Sequence, residues 1–108
     1  MTIAEDATIL SGGVVFDAGW LRCVVTASRR PDELIVKIPN IPGAVAPPTF
    51  FVDPSIVRPK TKPMVGVDVD ATVKVLLLET REQEAVVEVP GEPVSYGPKL
   101  LVPLDLLN

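Results

Sequence analysis

The sequence predicts a single small all-β domain, either a barrel or a sandwich of about six or seven short antiparallel strands. Apolar and polar residues alternate with a period of two in several segments, and valine and leucine dominate the apolar residues. Twelve prolines and seven glycines interrupt these segments, and no segment shows a sustained helical pattern. A chain of 108 residues, 47% of them apolar, can build one core, so residues 1–108 are predicted to form one domain.

The N-terminal third of the chain predicts an arm followed by a β-hairpin. Residues 1–13 have mixed polarity and end in two glycines, which is typical of a loosely attached arm. In residues 20–28, Leu21, Cys23 and Val25 fall on one face, and this spacing predicts a half-buried strand. A polar turn then leads into alternating residues 34–38, which are predicted to be the second strand of the hairpin.

Residues 39–64 are predicted to form a long proline-rich loop. Seven of the twelve prolines lie there, and each removes a backbone donor and fixes φ. The pattern allows an edge strand at residues 49–52 and no helix. Irregular segments of this length in a small domain are usually functional or lie against another surface, so the loop is a candidate contact site.

The C-terminal half predicts a second hairpin. Residues 65–78 alternate over an unusually long run, with Val65 and Val67 assigned to its apolar face, and residues 84–89 form the partner strand. A further strand is expected around residues 100–102. Pro103 is suited to begin a single helical turn, the only one that the sequence predicts.

The composition argues against an enzyme. There is no histidine, which removes imidazole acid–base groups, imidazole metal ligands and the base of Ser-His or Cys-His pairs. The single cysteine, Cys23, cannot form an intrachain disulfide or a structural zinc site, and its place on the apolar face predicts a buried thiol. No cofactor is expected.

Asp68 and Asp70 are the candidate metal ligands. Two carboxylates at i and i+2 of a strand share a face and could hold Ca²⁺ or Mg²⁺. Together with Thr72 they form Asp-x-Asp-x-Thr, which resembles the first motif of the haloacid-dehalogenase-type phosphotransferases. That resemblance implies a nucleophilic Asp68 and an acid–base Asp70. It also implies a doubly wound sheet with crossover helices, for which the rest of the chain has no pattern.

Charge and hydropathy restrict the partners. The formal net charge of −4 gives no general attraction to nucleic acid, and no apolar stretch is long enough to span a membrane, so neither partner is expected. A cytoplasmic setting, or a particle made in a cytoplasm, is predicted. Arg22, Arg29 and Arg30 resemble the arginines of PilZ-type cyclic-dinucleotide barrels, although the partner motif of that family is missing; the resemblance implies an anionic ligand.

Two apolar segments, residues 41–52 and 100–107, predict a contact surface. The second is expected either to close an open end of the barrel or to dock on a neighbouring subunit. The resulting hypothesis is a non-catalytic protein–protein interaction or assembly module, homo-oligomeric or part of a virion, shell or secretion assembly. The alternative is an accessory domain that binds a metal ion or a small anionic ligand. The candidate contact residues are Ile41, Val45, Phe50, Phe51, Leu101, Leu104, Leu106 and Leu107.

Overall fold

A computed structural model describes residues 8–9, 15–94, 97 and 99–107 of the chain. These residues contain nine antiparallel strands and two short 3-10 turns, which confirms the all-β prediction. The strands are β1 (Thr8–Ile9), β2 (Val15–Ala27), β3 (Leu34–Lys37), β4 (Thr49–Val52), β5 (Val57–Pro59), β6 (Val69–Thr80), β7 (Glu84–Glu88), β8 (Glu92–Pro93) and β9 (Lys99–Pro103).

The strands form one curled sheet, a half-barrel, in the order β8-β4-β3-β2-β6-β7-β9. Strand β1 pairs with β2, and β5 pairs with β6. The long β2–β6 ladder is the centre of the sheet, and its register runs from Asp17 opposite Leu77 to Val25 opposite Val69. Both predicted hairpins, β2–β3 and β6–β7, are present.

The concave face of the sheet carries the core. Period-two alternation places Leu21, Cys23 and Val25 of β2 inside, as the sequence predicts, opposite the inner side chains of β6. The inner residues of β7 and β9 complete the same cluster. Partly buried side chains of the proline-rich loop and of the C-terminal segment, among them Ile41, Leu104 and Leu107, pack against it.

The proline-rich segment holds more regular structure than the sequence predicts. Strand β4 is not an edge strand, because it lies between β3 and β8, and β5 adds three further paired residues. A 3-10 turn at Pro54–Ile56 makes the prediction of a single helical turn wrong. Pro54 fits there because the first position of a helical turn needs no donor. The Asp53 carboxylate accepts from the Ser55 N–H at 2.8 Å, which lowers the pKa of Asp53.

The ends of the chain agree with the predictions in part. The second 3-10 turn, Leu104–Leu106, follows Pro103 as expected. Within the predicted N-terminal arm, Thr8 and Ile9 pair with Phe16 and Val15 of β2. The remainder of that arm, residues 1–7 and 10–13, lies outside the described residues. Within the described chain, no helix has the length and apolar character that crossing a bilayer requires.

Candidate functional site

The predicted contact residues of the proline-rich loop separate into surface and core. Val45 is fully exposed, while Ile41 is half-buried against the core. Phe50 has to be removed from the predicted contact surface, because its exposed fraction is 0%. Neighbouring residues of a strand point to opposite faces, so Phe50 enters the core and Phe51 remains half-buried on the outer face.

The C-terminal segment lies across its own domain. Leu106 is only 9% exposed, and the Leu107 backbone bridges to Leu21 of β2. Of the two arrangements expected for this segment, the structure therefore has the intramolecular one. Because Leu106 is buried in this arrangement, its prediction as a contact residue is wrong. Leu104 is half-buried against the core, whereas Leu101 of β9 is 42% exposed on the outer face.

An exposed apolar turn at residues 64–67 is a feature that the sequence pattern did not predict. The pattern assigned Val65 and Val67 to a buried strand face, which is wrong because β6 begins only at Val69. Met64, Val65 and Val67 are 55%, 64% and 43% exposed. The Met64 carbonyl accepts from the N–H groups of Val67 and Ala27, and Gly66 has φ +76°. A positive φ at the third position of a turn favours glycine, so Gly66 was the available signal.

An acidic recess lies at the other end of β6. It is an open surface depression of about 720 Å³, lined by Pro42 of the proline-rich loop, Pro103 of β9 and the turn between β6 and β7. The Leu104 N–H donates to the Gln83 carbonyl at 3.0 Å and joins two of its walls. Both apolar segments of the sequence prediction thus contribute one proline to this recess. Its polar lining residues are Arg81, Glu82, Gln83 and Glu84.

A basic face occupies the outer surface of the central strands. Arg22 of β2 and Arg58 of β5 flank Thr72 of β6, since both residues pair with it. The Arg58 guanidinium carbon lies 3.7 Å from the centre of the Trp20 ring, an arrangement that a cation–π interaction favours. Lys60 extends this face along β6, because its N–H donates to the Asp70 carbonyl at 2.9 Å.

The predicted metal ligands do not form a metal-binding group. Asp68 precedes β6, accepts a hydrogen bond from the Thr26 hydroxyl at 2.5 Å and lies 3.7 Å from the Lys37 ammonium. Both contacts are made by the same carboxylate oxygen, Oδ1. Among the residues that the structure describes, no three Cys, Asp or Glu side chains are grouped to hold a metal ion.

The remaining candidates for chemistry are also dispersed. Burial raises the pKa of the Cys23 thiol from 9.0 to about 12, so it is protonated near neutral pH and is not a nucleophile. Arg29 and Arg30 line an outer-face recess with Phe51, while Arg22 lines a different one with Lys60. The three arginines do not form one anion site.

The candidate site is therefore a pair of features at the two ends of β6, the apolar turn and the acidic recess, with the basic face between them. Comparison with known proteins assigns no family to this arrangement: no protein-family model, no curated protein and no solved structure matches the chain.

Proposed function

We propose that this chain is a non-catalytic assembly module that associates with further copies of itself, head to tail. The apolar turn of one copy inserts into the acidic recess of the next. The observation that carries the proposal is that a projecting apolar turn and a recess able to receive it lie at opposite ends of one strand.

The geometry supports an end-to-end contact. Strand β6 has 12 residues, and at about 3.3 Å per residue it separates its two ends by about 36 Å. The longest dimension of the described chain is 43 Å, so the two features lie near opposite ends of the molecule. A turn at one end cannot reach the recess of its own chain. A second copy can supply it.

The charges next to the two features are complementary. Lys60 and Lys62 precede the apolar turn and are both exposed. Glu82 and Glu84 line the recess, with Pro42 and Pro103 as its apolar walls. Arg81 also lines it, but its guanidinium is paired with the Glu79 carboxylate at 3.1 Å. Insertion would remove the exposed Val65 side chain from water and place the two lysines near the two glutamates. Burial of apolar side chains stabilises such a contact, and the charges fix its orientation and register.

A head-to-tail contact uses two different surfaces of each copy, so it generates a ring when the rotation closes and a filament when it does not. This behaviour fits a stoichiometric component of a virion, shell or secretion assembly. With one buried cysteine, the fold needs no intrachain disulfide, which is compatible with production in a reducing cytoplasm. The proposal requires no cofactor.

The turn is tested by placing a charge at its tip. Val65→Asp should yield a monomer of 11.6 kDa at concentrations where the wild-type chain is larger, because the aspartate would be desolvated among the recess glutamates. Multi-angle light scattering after size exclusion at two or more concentrations measures this mass. The matched control is Val94→Asp, since Val94 is 56% exposed and belongs to neither feature. A wild-type chain that stays monomeric at every concentration contradicts the proposal.

The charge complementarity is tested by reversal. Lys62→Glu and Glu82→Lys should each weaken association, and the double variant should recover it, because the two reversed charges meet again between copies. Recovery should diminish in high salt, since exposed charges are screened. If the double variant associates no better than the single variants, these two charges do not face each other.

A further inference from the structure

We infer that the basic face binds single-stranded nucleic acid, with the phosphate backbone on Arg22, Arg58 and Lys60 and a base stacked beside Trp20. This inference does not depend on the self-association contact, with which the basic face shares only Lys60. The net charge of −4 argues against nucleic acid for the chain as a whole, but the sheet register brings these three cations together on one surface, with the exposed Asp70 at its edge.

The sheet register assembles the basic face from distant parts of the chain. Arg22 and Arg58 lie in one cross-strand row on either side of Thr72, which places their backbones about 10 Å apart, two strand spacings. Lys60 lies next to Asp70, two residues along β6 from this row. All three cations are exposed. Among the residues that the structure describes, no carboxylate forms an ion pair with any of them.

The stacked Arg58–Trp20 pair indicates which anion fits. Trp20 is half-buried and holds its ring against the Arg58 guanidinium at 3.7 Å, so a planar cation and an aromatic ring form one platform. Bases of single strands stack on aromatic rings and on guanidinium planes, and this stacking tolerates any sequence. A polyanion without bases would contact the cations but would not stack on the Trp20 ring.

The shape of the face favours a single strand over a duplex. The core fills the concave side of the curled sheet, so the basic face lies on its convex side. A rigid duplex touches a convex surface over a short length and keeps its bases stacked inside the helix, whereas a single strand can follow the curvature and expose a base to the platform. Thr72, at the centre of the row, adds a hydroxyl within the same surface.

Trp20 makes the experiment direct, because it is the only tryptophan of the chain. A 12-nucleotide oligothymidylate titrated into the wild-type protein should change the tryptophan fluorescence and saturate. If the three cations neutralise three phosphates, the logarithm of the binding constant should fall with the logarithm of the salt concentration with a slope of about −2. Binding at 200 mM salt should then be about twentyfold weaker than at 50 mM salt. Arg58→Gln should weaken binding at least tenfold, and Arg22→Gln should lower the salt slope by about 0.7.

The controls distinguish the basic face from general anion binding elsewhere on the surface. Arg29→Gln removes an exposed arginine outside the basic face and should leave the affinity unchanged. A 12-base-pair duplex and linear polyphosphate should both bind more weakly than the oligothymidylate. If polyphosphate binds as tightly as the oligothymidylate, the assignment of the ligand to nucleic acid is wrong. If the tryptophan fluorescence does not change at any oligonucleotide concentration, the basic face is not the binding site. Performing the titration on Val65→Asp as well keeps the result independent of self-association.

Discussion

The C-terminal segment provides the sharpest stability prediction, because two leucines five residues apart have opposite environments. Leu106 is 9% exposed and packs in the core, while Leu101 is 42% exposed on the outer face of β9. Both can be changed to alanine, so the chemistry of the two substitutions is identical. Only the surroundings differ.

The expected costs follow from burial. Removing a buried leucine side chain costs about 2–5 kcal/mol of the free energy of unfolding, whereas a half-exposed leucine loses about 1 kcal/mol or less. Leu106 lies near the end of the chain, where the cavity can partly collapse, so we expect about 2–3 kcal/mol for Leu106→Ala. In a domain of this size that corresponds to a melting temperature roughly 10–20 °C lower.

Thermal and urea denaturation of the two variants, followed by far-UV circular dichroism at several protein concentrations, measures this difference. Leu101→Ala should melt within a few degrees of the wild-type chain. If Leu101→Ala is the more destabilised of the two, the segment after β9 does not pack on its own domain and the intramolecular arrangement is refuted. A melting temperature for Leu106→Ala that depends on concentration much more steeply than that of the wild type would indicate docking between copies.

Three further predictions concern backbone and burial. Gly91→Ala should cost about 1–3 kcal/mol of unfolding free energy in urea titrations, since an added Cβ would lie 2.7 Å from the Phe51 carbonyl oxygen. Gly66→Ala should cost about 1–2 kcal/mol through its positive φ alone, and Gly97→Ala, which meets open space, should cost almost nothing. Above pH 9.0 the Cys23 thiol ionises in the unfolded chain but stays protonated in the folded chain up to about 12. Relative to Cys23→Ala, the wild-type chain should therefore lose about 1 kcal/mol of stability per pH unit in that window, as denaturation at pH 8, 9 and 10 would show.

Period-two alternation predicted the parts of the fold that depend on one strand at a time. The buried faces of β2 and β7 follow directly from the spacing of their valines and leucines. Phe50 and Phe51 show the limit of this reasoning. One of two adjacent strand residues must be inside, but only the pairing of β4 with both β3 and β8 decides that it is Phe50.

The candidate site could not be predicted in the same way, because its residues come from segments that are distant in the sequence. Trp20 and Arg58 meet because β2 and β5 both pair with β6, and nothing in either local sequence indicates that register. The acidic recess likewise joins Pro42 and Pro103 from distant segments. The apolar turn was the exception, since glycine is favoured at the third position of a turn and Gly66 could have placed the start of the strand after it.

The most direct test of the central claim is a mixture of two blocked variants. Val65→Asp blocks the apolar turn and leaves the acidic recess intact, while Gln83→Trp fills the recess and leaves the turn intact. Each variant alone should be a monomer of 11.6 kDa by light scattering. Mixed in equal amounts, they should form a dimer of twice that mass and nothing larger, because one functional turn meets one functional recess. A mixture that remains monomeric would contradict head-to-tail association through these two features.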